Sequence, residues 1–257
     1  MSNKQYRLQE LINPHSGHSL VIDTSNGLSL GALPGLEDFE KAVTPLLPWA
    51  DGVVTSPGQS RRLAKRTRKD AALLVSGDWT NAYRGQDFVL PPEHINYIPL
   101  LKASDARDLG ASALVLHFLL GHEESIDARC LQQVVQLALE GTSAGMPLIV
   151  DVKPIGPRVR LRSKAIELGV SYALEGGADG VVIPWPGDVS LTDILTMTVG
   201  VPLWVQPQNI DLDAAEVVER LQAGVTGFWL DERLFAAGRP EEVVRDYHTL
   251  HHKAVEV

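Results

Sequence analysis

The sequence predicts a closed (β/α)8 barrel, and three observations carry that expectation. Short apolar runs alternate with longer stretches of helical period over nearly the whole chain, the pattern of parallel strands joined by crossover helices. The runs number eight, and 257 residues is the length of one such barrel, for which about 250 is typical. A glycine that closes a helix just before the next strand recurs at Leu109-Gly110-Ala111, Gly176-Gly177-Ala178-Asp179 and Ala223-Gly224-Val225. Repetition of one βα unit favours closure over an open sheet. No linker-like shift in composition divides the chain, so residues 1–257 read as a single barrel domain.

The expected strands are Ser19 to Ser25, Gly52 to Ser56, Ala71 to Ser76, Ala113 to Leu119, Pro147 to Lys153, Gly180 to Ile183, Pro202 to Gln206 and Gly227 to Asp231. Each is a short apolar run bounded by turn formers. The expected helices are Leu36 to Leu47, Gln59 to Thr67, Ser104 to Leu109, Ser125 to Ala144, Arg160 to Glu175, Leu191 to Thr198, Leu212 to Ala223 and Pro240 to His252. One connection is long for a barrel: Gly77 to Pro99, with Trp79, Tyr83, Arg84, Phe88 and two consecutive prolines. Following the third strand, it falls on the catalytic face, either as a lid or as an ordered cover over apolar surface.

Thirty-two acidic against 23 basic residues give a net charge of -9, which argues against a broad phosphate-binding surface and so against nucleic acid. The single cysteine, Cys130, can form neither an internal disulfide nor a thiolate zinc cluster, and fits a reducing, cytoplasmic setting. The polar N-terminal stretch reads as neither signal peptide nor membrane span, and no later run reaches the roughly 20 apolar residues a spanning helix needs.

Active sites of such barrels lie at the C-terminal ends of the strands. The polar residues expected there are Asp23 and Ser25, Ser56, Ser76 and Asp78, His117, Asp151 and Lys153, Trp185 and Asp188, Gln206 and Gln208, and Asp231, Glu232 and Arg233. On the fifth strand Ile149, Asp151 and Lys153 alternate with Val150 and Val152, so an amine and a carboxylate share one face. If that face is the interior, Lys153 can form an imine, donate a proton or hold a substrate carboxylate; the plainer alternative is an ion pair neutralising a barrel mouth. His117, in the run Leu-Val-Leu-His-Phe-Leu-Leu, is either an acid and base or a satisfied core residue. Arg158, Arg160 and Arg162 follow the fifth strand and suit an anionic substrate group, or simply a solvated helix start. A second basic run, Arg61, Arg62, Lys65, Arg66, Arg68 and Lys69, reads as a solvated or subunit-contacting face.

Several stretches together carry a resemblance. They are Arg7-Leu8 with Ser16-Gly17, Gly27-Leu-Ser-Leu-Gly-Ala-Leu-Pro-Gly-Leu-Glu-Asp38, Ala50-Asp-Gly-Val-Val54 running into Pro57-Gly58 and Arg61-Arg62, Leu109-Gly-Ala111, Gly145-Met-Pro-Leu148, and Gly177-Ala-Asp-Gly-Val-Val182. On these the chain resembles, nearly end to end, the class I aldolases of the DeoC/LacD type, in particular the archaeal-type fructose-bisphosphate aldolases and their relatives. The resemblance implies a Schiff-base lysine on the sixth strand in a pattern like Gly-Ala-Asp-Ile-Val-Lys, where this chain has Val182. A valine cannot form an imine. The family's Asp-His-Gly after the first strand matches Ser25-Asn26-Gly27, or leaves Asp23 as the acid if an insertion follows it. Its Tyr-Pro-Arg-Gly after the fifth reads Lys153-Pro154-Ile155-Gly156, a lysine in place of a tyrosine acid and base. The glycines that cradle phosphate after the seventh and eighth strands read Gln206-Pro207-Gln208 and Asp231-Glu232-Arg233.

The resulting expectation is a divergent aldolase-like lyase acting on the C–C bond of a small hydroxy-carbonyl compound, without the usual phosphate site. Its catalytic residues are Lys153, Asp23, Asp151 and His117; its substrate-binding residues are Ser25, Ser56, Arg158, Gln206, Asp231 and Arg233. It uses no metal and no cofactor, and the resemblance implies a homo-oligomer. The alternatives are a catalytically inactive paralogue that binds a metabolite or partner protein, and a metal-assisted lyase using Asp151, Asp231 and Glu232 with His117.

Overall fold

The computed structural model describes residues 3–211, 213–236 and 238–253, and within them the side chains at 65–69, 188, 189 and 253 fall outside the description. The side chains of the basic run beyond Arg61 and Arg62 and of the strand-end candidate Asp188 therefore lie outside the description, and the expected helix start at Leu212 lies outside the described residues.

Among the described residues ten strands form in chain order: β1 Ser19–Asp23, β2 Gly52–Thr55, β3 Ala72–Ser76, β4 Asp78–Thr80, β5 Tyr97–Pro99, β6 Ala113–Leu120, β7 Leu148–Pro154, β8 Gly180–Pro184, β9 Leu203–Gln206 and β10 Gly227–Leu230. Eight of them close a parallel barrel in the order β1-β10-β9-β8-β7-β6-β3-β2, the TIM barrel that the sequence predicts. The strands are buried on both faces, which is why they read as unbroken Val/Ile/Leu runs. Closure is tight where Ser19 pairs with Gly227: a Cβ on Gly227 would collide with the Ser19 carbonyl oxygen, so only glycine fits that seam.

The helices are α1 Asn3–Gln9, α2 Gly27–Leu30, α3 Phe39–Val43, α4 Pro57–Asp70, α5 Ala103–Asp108, α6 Glu124–Ala144, α7 Arg162–Glu175, α8 Asp188–Met197, α9 Ala214–Ala223, α10 Arg233–Ala236 and α11 Pro240–Lys253. Local chemistry sets several boundaries. The Asp213 carboxylate accepts from the Glu216 amide at 2.8 Å to start α9, and Gly145, left-handed at φ 65°, ends α6. The single helix expected over Leu36 to Leu47 is instead the short α3 followed by a 3-10 turn, Thr44–Trp49. Pro45 and Pro48 supply no amide for a continuous helical ladder.

Residues 77–99 are not wholly irregular. β4 and β5 pair antiparallel, with Trp79 opposite Ile98. The insertion is tied to the loop after β1: Trp79 Nε1 donates to the Leu28 carbonyl (2.9 Å) and Arg84 Nε to the Ser29 carbonyl (2.8 Å). Arg84 also lies over the rings of Trp79 and Phe88.

Two cores result. One fills the space between barrel and helices; the other fills the barrel with Val21, Val54, Leu74, Val115, Ile149, Val182, Trp204 and Trp229, closed from the N-terminal side by Leu11. The two tryptophans meet edge to face at 5.9 Å. Above this apolar plug the inward side chains become polar. Among the described residues no helix is long and apolar enough to cross a membrane.

Candidate active site

The change from apolar to polar follows the strand period. On β7, Ile149 points into the plug, so Asp151 and Lys153 point inward above it. On β1, Val21 is followed by Asp23; on β6, Val115 by His117; on β9, Trp204 by Gln206. Lys153 Nζ lies 2.8 Å from Asp151 Oδ2 and donates to Gln206 Oε1 at 2.7 Å, while Gln206 Nε2 donates to the same Asp151 oxygen at 3.2 Å. The Asp151 side chain is fully buried, and its Oδ1 has no partner. Burial raises the Asp151 pKa, against the pull of Lys153 and His117.

His117 sits beside this pair, and the β6–β7 register places it opposite Asp151. Asp78, at the start of the 77–99 insertion, grips it twice, accepting from the backbone amide at 2.6 Å and from Nδ1 at 2.7 Å. The bond to a carboxylate assigns a proton to Nδ1 and leaves Nε2 as the ring's other nitrogen. Burial alone would lower the His117 pKa; Asp78, through charge and hydrogen bond, and Asp151 outweigh it and bring it to about 9. Tyr83, from the same insertion, packs edge to face on the imidazole at 5.7 Å with its hydroxyl buried and unpartnered. Burial and the surrounding carboxylates hold that phenol protonated, with its pKa well above the usual value.

Asp23 completes the floor. Its Oδ1 accepts from the Ser25 amide (2.8 Å) and hydroxyl (2.7 Å), and its Oδ2 from Trp229 Nε1 (3.0 Å). Asp23, His117 and Asp151 each place a ligand-type atom within 4.8 Å of the others, the one such set of three among the described residues. The metal-assisted reading expected Asp231 and Glu232 beside His117. Instead Asp231 pairs with Arg233 and Glu232 accepts from Asn26 Nδ2 at 2.8 Å, and Asp23 takes their place.

A cavity of about 430 Å3 opens above, lined by Lys153, Gln206, Tyr83, Asn26, Trp185 and Glu232 among others. Burial, then the neighbouring Asp231, raise the Glu232 pKa. Of the other binding candidates, Ser25 holds Asp23, and Asp231 and Arg233 stand at the rim. Every nitrogen of Arg233 has a partner: Nε bonds Asp231, Nη1 donates to the Gln208 carbonyl and Nη2 to the Pro207 carbonyl, both at 2.8 Å. Ser56 lines a different cavity with Thr24 and Arg62. Arg158 turns outward to Glu124 and the His122 carbonyl; of the three arginines after β7, Arg162 is the one that lines the site cavity. The sequence places Asp78 at the end of the third strand but gives it no catalytic or binding role, and it places Tyr83 only within the long connection, whose polar and aromatic residues mark the segment and not the residue.

A closed parallel barrel whose polar groups, a lysine included, gather at the C-terminal strand ends has the architecture of the (β/α)8 enzymes. Residues 19–186 match the family model described as DeoC/LacD family aldolase, more than half of the chain, and the chain belongs to that family. It is 26% identical over 175 residues to an uncharacterized aldolase of Pasteurella multocida, covering 68% of this chain and 56% of that one. It is 25% identical over 178 residues to a 3-hydroxy-5-phosphonooxypentane-2,4-dione thiolase of Klebsiella pneumoniae, covering 69% and 56%. The chain thus spans about half the length of the curated relatives it matches. Among solved structures, an archaeal fructose 1,6-bisphosphate aldolase superposes with a TM-score of 0.78 at 16% identity, over 97% of this chain and 99% of that one. A Schiff-base-forming fructose-1,6-bisphosphate aldolase superposes at 0.77 and 17%, over 96% and 99%. At these identities the structural likeness concerns the fold.

Proposed function

We propose that this chain is an aldolase-type lyase that makes or breaks the C–C bond of a small hydroxy-carbonyl compound, with Lys153 as its amine. One observation carries the reading: Lys153 is the one lysine among the described residues that lines the mouth cavity, and it stands on Asp151 beside Asp23 and His117. In the covalent version its amine attacks the substrate carbonyl, and the carbinolamine loses water to an imine. Asp23 or Asp151 takes the proton from the β-hydroxyl, the C–C bond breaks to release an aldehyde, and its electron pair passes into the iminium to give an enamine. Protonation of the enamine and hydrolysis of the imine return the amine and release the second product. In the milder version Lys153 stays an ammonium that stabilises developing charge. A substrate without a terminal phosphate fits the loss of the strand-end glycines and an Arg233 already occupied by backbone carbonyls and Asp231. The reading extends to a cytoplasmic homo-oligomer with the whole chain as one barrel domain.

Intact-mass spectrometry after borohydride reduction with small aldehydes and 2-oxo acids tests the covalent version. One adduct per chain is expected, absent in Lys153→Ala; wild-type protein that stays unmodified with every carbonyl compound rejects the imine.

Val182 favours a second reading, a catalytically inactive family member that binds a metabolite or partner protein. The resemblance puts the imine lysine at this position, and the valine here is fully buried in the apolar plug, level with Asp151 and Trp204. Under that reading Lys153→Ala changes stability and nothing else.

A further inference from the structure

We infer that Asp23, His117 and Asp151 form a binding site for one divalent transition-metal ion at the floor of the barrel mouth. The inference goes beyond the lyase reading and does not depend on it.

Three observations support it. First, all three residues are buried and their ligand-type atoms gather within 4.8 Å of one another from three strands, β1, β6 and β7, so a rigid barrel and not a loop sets the geometry. Second, His117 is held as metal-ligating histidines are. Asp78 accepts from Nδ1, which fixes the ring and leaves Nε2 as the nitrogen for a metal, whose binding would displace the proton that Nε2 carries at neutral pH. Third, Asp151 is fully buried, and Oδ1 has no partner although Oδ2 is shared by Lys153 and Gln206. An unpartnered carboxylate oxygen costs free energy unless something occupies the space beside it. A cation there would satisfy Oδ1 without displacing Lys153 from Oδ2. Asp23 Oδ1 takes two bonds from Ser25, and Oδ2, which accepts from Trp229 alone, keeps a lone pair free.

The donor set selects the ion. One imidazole with two carboxylates suits Zn2+ or Mn2+ better than Mg2+ or Ca2+, which prefer all-oxygen shells. Lys153, Gln206 and Tyr83, which surround the three ligands, line the mouth cavity, so the site lies beneath the space a substrate would enter.

The test is equilibrium binding by isothermal titration calorimetry on the full chain, stripped with chelator, using Zn2+, Mn2+ and Mg2+ separately, with the visible spectrum of the Co2+-loaded protein as a second readout. One equivalent is expected, with Zn2+ and Mn2+ tighter than Mg2+ and a Co2+ spectrum that shows nitrogen ligation. His117→Ala and Asp23→Asn remove it. Asp78→Asn weakens it about 10- to 100-fold, as loss of an outer-shell partner does. Four histidines at the far end of the barrel, His18, His248, His251 and His252, offer a competing place for zinc, so His252→Ala must leave the equivalent and the Co2+ spectrum unchanged. No binding of Zn2+ or Mn2+ at millimolar concentration overturns the proposal, as does binding that survives His117→Ala or is lost in His252→Ala. The lyase reading fails on a different measurement, the borohydride adduct, so either can fall without the other.

Discussion

Asp78 is the residue on which the floor of the site depends. It is buried, belongs to no barrel strand, and spends both carboxylate oxygens on His117. Removing it leaves a buried imidazole and a backbone amide without partners, and truncating one member of a buried pair costs about 3–5 kcal/mol. Asp78→Ala is therefore expected to lower the unfolding free energy by about that much, while Asp78→Asn, which can still accept one bond, costs less. Urea unfolding of the two variants checks this; equal losses would show that the two bonds to His117 are not what matters. The same residue shows how far the site is legible from sequence. Asp23, His117, Asp151, Lys153 and Gln206 were readable because strand period and barrel polarity place them without knowledge of any loop. Asp78 is placed at a strand end in the same way, but its grip on His117 is not legible, and neither is Tyr83, since nothing local tells which side chain of a 23-residue connection folds back over the barrel; Ser56 and Arg158 are close in sequence to a strand end and still face away from the mouth.

At the scale of elements, α11 carries a built-in acid sensitivity. His251 on this helix is fully buried against Phe228 and Tyr247, with Nδ1 bonded to the Tyr247 carbonyl at 2.7 Å. The other ionisable groups facing it are His18, His252 and Asp51. Burial lowers its pKa from 6.5 to about 3, more than the backbone bond raises it. The unfolded chain therefore takes up a proton below about pH 6.5 that the folded chain refuses until about pH 3. The stabilisation is complete above pH 6.5 and is lost as pH falls through that window, at about 1.4 kcal/mol per unit. His18 and His248, also lowered by burial, act in the same sense; Asp151 and Glu232, raised by burial, act in the opposite one. A comparison of wild type with His251→Phe isolates the single group. Between pH 6.5 and 5 the wild type should lose about 2 kcal/mol more than the variant, and parallel pH profiles would show that His251 does not titrate on unfolding. A second element-scale prediction concerns the barrel seam. Gly227→Ala forces a methyl group against the Ser19 carbonyl in the β1–β10 pair and is expected to cost about 3 kcal/mol, the upper end of overpacking; a neutral result in thermal unfolding would mean the seam opens freely. The barrel strands were legible to within two residues because each is a buried apolar run with turn formers at its ends. The helix after β1 was misjudged because its apolar pattern outruns the two prolines that break it, and α1, α2, α10 and the β4–β5 ribbon are too short for period to register.

At the scale of the whole molecule, the proposed function includes an assembly of several copies of the chain. The proposed homo-oligomer needs an apolar face that survives folding, and the outer helices supply one. Val135 and Leu139 on α6 and Leu168 and Tyr172 on α7 form two i, i+4 pairs on helices adjacent in the barrel, 38–69% exposed. With a net charge of -9, copies repel at long range, so association must come from such contacts and should strengthen as salt screens the repulsion. Light scattering coupled to size exclusion is expected to give a whole multiple of the chain mass at physiological salt. Leu139→Lys with Leu168→Lys should return it to the monomer, since each lysine would bring a charge into the contact. The mouth cavity lies at the strand ends of a single barrel, so the double variant should keep the borohydride adduct at Lys153. A monomer in wild type across the accessible concentration range would remove the oligomer from the reading. Loss of the adduct together with the oligomer would place the site, or its support, across two copies of the chain.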